Sequence, residues 1–550
     1  MFIQPRFFAQ AMQALLVIGL GVLSQSVHAM SPKVIEQIDA IHDPIRVDVV
    51  ANEPVAIHLL GDTGALVGLS LETSGLPFDI SLEGEDGTHY RQLLAKGEGR
   101  KHVMFMMPDK PSYLAVSSSE AGFLAITQTS MIAEKDLHAP KRSYQSPRLR
   151  VLAEKLEQEA NTDAFWQDIT KEGTPMVEPG NKGETLLTFL ARGAERNVKM
   201  LGGPANDIYA LERLGKSDVW FRTVSVPAGT LFSYQLAKDV PDFDGPKRAR
   251  RVAILAKAKA DPLNRYPWPT KAPDAYNQSS TFRVGGGALE PWFEAVPEAQ
   301  GALSHHRIAS VELENERDIW IYRSAGFDES DPDTPLLFVF DGEQFLRKGH
   351  LDRSIDALVV AGKIPPLAAV FVSSIDNVVR AKELPDNDTF AAFMAKDVLS
   401  LVREELGFSP RAERTILSGS SFGGLGSTTI ALKHPEAFGA VLSLSGSYWW
   451  SDEGAYAGAN MVARRVATHE PAPVRFYLAA GLFETSRGDG FASILEPNRH
   501  LHDVLLAKGY SAIHQEFPTA HDMFAWREQL PQGLIALLGS VDANARVVGK

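Results

Sequence analysis

The feature that most restricts the fold is a regular alternation of apolar runs and helix-like segments over the second half of the chain. Short runs rich in aliphatic and aromatic residues recur from Pro291 onward, with helical periodicity between them. The candidate strands are 319–322, 336–340, 368–373, 415–417, 440–444, 475–479 and 513–517. Buried strands that alternate with helices are typical of a mostly parallel sheet covered by helices on both faces. The pattern predicts such an α/β domain over residues 286–550.

Two β-rich regions precede this domain, as expected for a chain of 550 residues, which is longer than one core usually organises. Residues 30–140 contain short strand-like runs between Gly, Asp and Pro turns, which predicts a β-sandwich. A docking role and a purely structural role both remain open for it. Residues 141–163 are predicted to form a linker helix. Residues 164–285 are predicted to form a second sandwich-like domain, with a basic patch at 247–251 and a Pro-, Ser- and Gly-rich linker from 271.

The first residues have the pattern of an export signal. Arg6 supplies a positive charge, residues 11–23 are apolar, and Val27-His28-Ala29 forms a small-x-small cleavage site. A membrane anchor is the alternative, but the apolar stretch is shorter than the roughly 20 residues that a bilayer requires. We therefore expect residues 1–29 to be a cleaved signal peptide, and the mature protein to be periplasmic without a membrane span.

The amino-acid composition excludes several classes of function. The chain contains no cysteine, which excludes disulfides, thiol catalysis and cysteine metal sites. Its formal net charge is −13 and no long basic run is present, so nucleic-acid binding is not expected. His500 and His502 lack a further ligand at a convincing spacing, so neither a bound metal nor another cofactor is expected. An anionic ligand would need arginines gathered locally.

Residues 419–423, Gly-Ser-Ser-Phe-Gly, match the G-x-S-x-G pattern of a nucleophile elbow. The motif follows an apolar strand and precedes a helix-compatible segment, which is the setting that the elbow requires. Ser421 is therefore the predicted nucleophile, and the backbone amide of Phe422 is a predicted oxyanion donor. The motif and the strand pattern together predict an α/β-hydrolase catalytic domain preceded by two β-sandwich-like domains.

A serine nucleophile needs a histidine base and a carboxylate that orients it, both after the serine in this fold. His521 lies directly after the last predicted strand and is the predicted base. Glu484 follows the penultimate strand and is the favoured acid, with Asp489 as the alternative. The backbone amide of Glu343, in a turn after an early strand, is the predicted second oxyanion donor.

These motifs resemble those of the enterochelin (enterobactin) esterases, which open trilactone catecholate siderophores. The resemblance covers about 165–538 and rests on several segments. They are 165–167, 173–175, 217–220, 261–264, 337–345, Arg380 with Glu383 and Leu384, 419–424, 445–450, and His521-Asp522 with Trp526-Arg527. The export signal and the first β-rich region depart from the family's two-domain members.

The resemblance implies a serine esterase that hydrolyses a small-molecule siderophore, with iron present only as part of the substrate. The periplasmic location is implied by the export signal and not by the two-domain members of the family. It implies Ser421, His521 and Glu484 in their catalytic roles. A bulky aromatic trianion is bound well by guanidinium groups and indoles. The predicted substrate-binding residues are Arg380, Trp449, Trp450, Arg487 and Arg527. A general acyl or carbohydrate esterase and a non-catalytic siderophore-binding or adhesion module are the alternatives; the sequence does not indicate the oligomeric state.

Overall fold

The computed structural model describes the chain in segments. They are 33–38, 44–59, 62–137, 144–158, 161–205, 208–285, 292–296, 298–331, 333–407, 409–452, 460–485 and 493–539. The chain divides into two compact units, Met1–Ser143 and Tyr144–Lys550. The predicted signal peptide, Arg487 and Asp489 lie outside the described residues. Within the described segments, no helix combines the length and the apolar character needed to cross a membrane.

The first unit contains two mostly antiparallel sheets around one core. Its elements are β1 (Lys33–Ile38), β2 (Ile45–Val49), β3 (Val55–Leu59), β4 (Leu66–Thr73), β5 (Phe78–Gly84), β6 (His89–Gly97), β7 (Arg100–Met106), β8 (Ser112–Ser117), β9 (Gly122–Ile132) and α1 (Glu134–Leu137). The sheet orders are β1-β3-β8-β5-β6 and β2-β9-β4-β7. Alternate residues of β5 are buried, as period-2 patterning requires. Val47 and Leu124 of one sheet pack in the same cluster as Ile80 of the other, which makes the unit a β-sandwich.

Two helices open the second unit, α2 (Pro147–Glu157) and α3 (Asp163–Glu172). The single linker helix predicted over 141–163 is wrong in extent, and Trp166, assigned from sequence to the β region, lies in α3. The indole of Trp166 donates to Asp218 at 3.2 Å. Leu149 and Trp166 belong to one buried cluster with residues of the following sheet, so both helices are packed parts of the unit.

The β region of the second unit is one continuous sheet. Its elements are β10 (Met176–Pro179), β11 (Thr185–Arg192), β12 (Val198–Gly202), β13 (Ile208–Arg213), β14 (Val219–Val226), β15 (Leu231–Lys238), α4 (Lys247–Lys257), β16 (Pro267–Trp268) and β17 (Ser279–Arg283). The order is β10-β11-β14-β13-β12-β15-β17-β16. Buried side chains from β11, β12, β14 and β15 share one core. The linker predicted from residue 271 is wrong, since β17 lies within it and pairs antiparallel with β15.

The α/β region of the second unit forms an eight-stranded sheet of order β18-β19-β21-β20-β22-β23-β24-β25. The strands are β18 (Ala302–Ser310), β19 (Asn315–Arg323), β20 (Leu336–Phe340), β21 (Ala368–Val372), β22 (Thr415–Ser420), β23 (Ala440–Leu444), β24 (Arg475–Gly481) and β25 (Ala512–Phe517). The strands from β20 onward pair in parallel, whereas β18 and β19 are antiparallel additions at one edge.

Helices cover both faces of this sheet. They are α5 (Trp292–Ala295), α6 (Gly342–Arg347), α7 (Leu351–Val360), α8 (Asn377–Glu383), α9 (Asp388–Phe393), a π-helical turn (Met394–Val398), α10 (Leu399–Leu406), α11 (Phe422–Lys433), α12 (Met461–Thr468), α13 (Leu495–Ala507) and α14 (Met523–Leu538). Phe338 packs in the cluster with α9 to α13, and its neighbour Val339 packs in the cluster with α6, α7 and α14. This alternation is the mostly parallel, two-face-covered sheet that the sequence predicts.

The carboxyl ends of the parallel strands meet at one edge of the sheet. Asp341 follows β20, Ser421 follows β22, and Ser445 follows β23. Glu484 follows β24, and His521 follows β25 after a short loop. The fold therefore brings residues that are far apart in sequence to one edge.

Candidate active site

Ser421 occupies a strained turn between β22 and α11. Its backbone has φ 58° and ψ −117°, a conformation that non-glycine residues rarely adopt. Position 419, two residues before Ser421, must be glycine, because a Cβ there would lie 2.8 Å from the carbonyl carbon of Gly423. The Ser421 amide donates to the Leu444 carbonyl at 2.9 Å, which ties the turn to the adjacent strand. This is the geometry of a nucleophile elbow.

Glu484 and His521 form a tight pair. His521 Nδ1 and Glu484 Oε1 are 2.6 Å apart, and Glu484 has no exposed surface. The other oxygen, Oε2, accepts from the Gly481 amide at 2.7 Å, so the carboxylate is fixed from both sides. The edge of the imidazole meets the Trp526 ring, with 4.7 Å between centroids. Because Nδ1 is committed to Glu484, Nε2 is the nitrogen left to exchange a proton with a substrate or a serine.

The hydroxyl of Ser421 bonds to a neighbouring hydroxyl. Its Oγ lies 3.1 Å from Ser447 Oγ, and in the described segments it makes no direct hydrogen bond to His521. The Ser447 amide donates to the Ser421 carbonyl at 3.0 Å, which holds the two residues together. Catalytic hydrogen bonds are often long before substrate binds, so this arrangement is compatible with a serine–histidine pair.

Two helix N-termini adjoin Ser421. Phe422 is the first residue of α11, and Glu343 is the second residue of α6. Amides in the first turn of a helix have no acceptor within the helix, so both can donate to an incoming oxyanion. Gly342 must be glycine, because a Cβ would lie 2.5 Å from the Phe371 carbonyl carbon. A Cβ on Gly423 would lie 3.7 Å from Asp341 Oδ2, so the two helix starts are close.

Arg380, which the sequence predicts to border the substrate, forms an ion pair with Asp341. Its Nε and Nη2 donate to Oδ1 and Oδ2 of Asp341, both at 2.7 Å. Nη2 also donates to the Ser420 carbonyl at 3.1 Å. The guanidinium therefore clamps the turn before α6 to the strand end before Ser421. Sequence reasoning treated Asp341 only as part of a turn and missed its role as the partner.

Arg527 also differs from its predicted place. It lies in α14 with only 7% of its surface exposed, and its guanidinium carbon is 4.1 Å from the Phe524 ring and 4.3 Å from the Phe293 ring. It lines a cavity distinct from the pocket beside His521. The reason is helical spacing, since His521 precedes α14 while Arg527 lies in its second turn on another face.

The paired tryptophans have different surroundings. The ring of Trp449 lies 6.0 Å from the ring of Phe422, next to the nucleophile turn. Trp450 packs against the core cluster on the α9 to α13 side of the sheet. The two tryptophans therefore differ in place: Trp449 is beside the Ser421 turn, and Trp450 is packed against the core.

Residues of the β region form part of the pocket beside His521. The sequence pattern does not predict this contribution. It encloses about 250 Å³. Its walls include His521 and Asp522 on one side, and Ser233, Tyr234 and Arg251 on the other. Arg251 lies in the basic α4, so the charge run that was visible in the sequence marks this wall.

The β region also holds the loop that carries His521. Asp522 accepts from the Ser233 amide and caps α14 by accepting from the Phe524 amide at 2.9 Å. The Leu231 amide donates to the Pro518 carbonyl at 3.1 Å. Burial raises the pKa of the Asp522 carboxyl. Among the described residues, no group of three or more His, Cys, Asp or Glu is placed to hold a metal ion.

Comparison with known proteins places this chain in a family. The Esterase family model matches residues 310–537, and the model of the enterochelin esterase N-terminal domain matches residues 187–292. An iron(III) enterobactin esterase of Escherichia coli O6:H1 is 31% identical over 339 residues, covering 60% of this chain and 81% of the relative. The chain belongs to the enterochelin esterase family.

Other members of the enterochelin esterase family match over a greater length. The iron(III) enterobactin esterase of Dickeya dadantii is 28% identical, covering 70% of this chain and 95% of the relative. A crystal structure of the Shigella flexneri enterobactin esterase, solved in the presence of enterobactin, is 27% identical with a TM-score of 0.56. That match covers 69% of this chain and 98% of the other. Family membership identifies the protein as an ester hydrolase with an accompanying N-terminal β domain.

Proposed function

We propose that this protein is an exported serine esterase that hydrolyses the ester bonds of catecholate siderophores such as enterobactin. Ser421 is the nucleophile, His521 the general base, and Glu484 the acid that orients the imidazole. The observation that carries the proposal is the 2.6 Å contact between His521 and the buried Glu484, at the same sheet edge as the strained Ser421 turn.

The chemistry follows from these positions. As Ser421 Oγ attacks the ester carbonyl carbon, its proton passes to Nε2 of His521, and the negative oxygen accepts from the amides of Phe422 and Glu343. The C–O bond to the alcohol then breaks, and that alcohol takes the proton from Nε2. Water repeats the sequence on the acyl-enzyme and releases the carboxylic acid. Glu484 stays ionised and stabilises the imidazolium in both halves.

The substrate class follows from the family and from the walls of the pocket. The related esterases act on iron(III) enterobactin, as their names state. Arg251 brings positive charge to the pocket beside His521, and Trp449 brings an indole next to Phe422. A protein of net charge −13 needs such local positive charge to accept an anionic catecholate. Iron enters only with the substrate, and no cofactor takes part.

The location rests on the first residues of the sequence. The stretch 1–29 has the pattern of a cleaved export signal, so we place the reaction in the periplasm. There, hydrolysis would give linear fragments that hold iron less tightly than the intact trilactone. Fractionation of cells that express the full chain, with the N-terminal residue of the product determined by sequencing, tests this location.

The decisive assay uses the mature protein, residues 30–550, with ferric enterobactin, iron-free enterobactin and a short acyl ester. Product masses report which bonds are cut. We expect cleavage of the trilactone to linear products and no cleavage by the Ser421→Ala variant. Rapid turnover of the short ester with an intact trilactone would contradict the siderophore assignment and favour a general esterase.

A further inference from the structure

A second cavity, of about 740 Å³, lies apart from the candidate catalytic residues. It is enclosed by β16 and β17 of the β region and by residues of α5, α7 and α14. None of Ser421, Glu484 and His521 is among the residues that line it. Its volume is within the range of about 300–1,000 Å³ that is usual for small-molecule sites.

The walls of this cavity are strongly aromatic. The ring of Trp268 meets the ring of Phe524 at 5.4 Å, and the ring of Phe293 lies 6.2 Å from that of His350. Tyr266 adds a further ring and is largely exposed. Such surfaces accept the flat face of an aromatic ligand.

Arg527 is buried at this cavity without a hydrogen-bonding partner at Nε among the described residues. Within the described segments, Nη2 lies 3.8 Å from Oε1 of Glu528, which is beyond hydrogen-bonding range. Glu528 itself is paired with Arg283. Burial lowers the pKa of Arg527 to about 10, which reflects the cost of keeping this charge away from water. A buried guanidinium whose Nε has no hydrogen-bonding partner among the described residues favours an anionic ligand.

The charges around the cavity agree with this preference. Four arginines line it, Arg265, Arg283, Arg353 and Arg527, against two glutamates, Glu294 and Glu528. A planar guanidinium binds a carboxylate through two parallel hydrogen bonds. We infer that this cavity is a second binding site, and that it takes an aromatic carboxylate with its ring against the aromatic walls and its carboxylate on Arg527, whose guanidinium itself lies over the rings of Phe293 and Phe524.

The cavity is connected to the candidate catalytic site through one helix. Phe524, Arg527 and Glu528 belong to α14, whose N-cap Asp522 directly follows His521. A ligand on Arg527 would therefore bind against the helix that begins beside the general base. Hydrolysis of an aromatic N-acylserine ester releases an aromatic carboxylate. That identification of the ligand as a reaction product rests on the proposed function, whereas the ligand class rests on the cavity alone.

The test uses the full mature chain carrying Ser421→Ala, so that no turnover occurs, and isothermal titration with N-benzoylserine. Two matched compounds separate the contributions: N-benzoylserinamide lacks the carboxylate, and N-acetylserine lacks the ring. We expect N-benzoylserine to saturate one site and both compounds to bind at least about tenfold more weakly, since a charge-assisted hydrogen bond is lost in one and stacking in the other.

Variants locate the site. Arg527→Gln in the same background should weaken N-benzoylserine binding at least about tenfold, whereas Arg213→Gln, which removes an exposed arginine of β13, should not. If Arg527→Gln does not fold, Phe293→Leu tests the same wall. Unchanged affinity in either folded variant overturns the inference, as does loss of binding on Arg251→Ala, which would place the ligand beside His521. A failure of the hydrolysis assay would contradict the proposed function without altering these titrations.

Discussion

The two halves of the candidate site are held in different ways. The Ser421 half is built inside the α/β region: its turn is tied to the neighbouring strand through Leu444, and the Asp341–Arg380 pair clamps the adjoining loop. The His521 half depends on the β region, because Ser233 donates its amide to Asp522 across 289 positions of sequence. The N-terminal β domain is therefore a structural part of the candidate site.

The largest expected effect is on the Ser421 half. Ser421→Ala removes the proposed nucleophile, and its loss should lower kcat by on the order of 10⁴ or more. The fold should be retained, because among the described residues the hydroxyl makes a single hydrogen bond, to Ser447 Oγ at 3.1 Å. Initial rates with ferric enterobactin, with circular dichroism on the same samples, measure both. Ser447→Ala is the matched control and should keep most of the activity; a Ser421→Ala variant with a tenth of normal turnover refutes the assignment.

On the His521 half, the acid can be identified by a pair of isosteric changes. Glu484→Gln keeps the shape but loses the charge that orients His521, so kcat should fall on the order of 10³ to 10⁴. Asp489→Asn, at the alternative position, should change kcat little. Single-turnover rates for both variants show which of the two carboxylates is the acid. The reverse ranking would move the acid to Asp489, and two weak effects would leave a serine–histidine pair without an acid.

The link between the β region and the His521 loop can be weakened at one residue. Asp522 uses one oxygen for the Ser233 amide and the other for the Phe524 amide. Asp522→Asn has a single carbonyl oxygen and loses one of these bonds, so we expect a loss of about 10- to 100-fold in kcat/KM.

A matched capping carboxylate provides the control for that change. Asp376 accepts from the amides of Val378 and Val379 through a single oxygen, Oδ1. Asp376→Asn can keep both bonds and should have little effect on kcat/KM or on the thermal midpoint. Equal losses in the two variants would show that the β region does not position His521.

The two arginines near the site should differ in which constant they change. Arg380→Ala removes the clamp on Asp341, so kcat should fall about tenfold for charged and uncharged esters alike. Arg251→Ala removes a charge from the pocket wall, so KM should rise several-fold for ferric enterobactin only. Steady-state kinetics with both substrates separate these outcomes. A selective effect of Arg380→Ala on the ferric substrate would show that Arg380 contacts the substrate, as the sequence predicts.

The sequence predicts those features that a short stretch of residues determines by itself. The buried strands of the sheet are continuous apolar runs, and the Ser421 turn has its own glycines, so both could be located directly. The edge strand Ala302–Ser310 was not predicted, because its residues are mostly exposed and include two histidines and an arginine. The partners of Arg380 and Arg527 were also missed, since they arise from contacts between distant segments that no spacing reveals.

The smallest expected effect is from removal of the first unit. Residues from 44 to 137 have a core of their own, and the residues that line the pocket beside His521 all lie from Leu201 onward. Deletion of residues 1–141 should therefore leave kcat and KM for ferric enterobactin within about twofold of the mature protein. Deletion of residues 1–163 is the contrasting variant, because it also removes α2 with its buried Leu149 and should lower the thermal midpoint. If the protein without residues 1–141 folds but loses activity, the first unit takes part in the site. The two β-rich parts of the chain would then both contribute to the site, which contradicts the difference proposed between them.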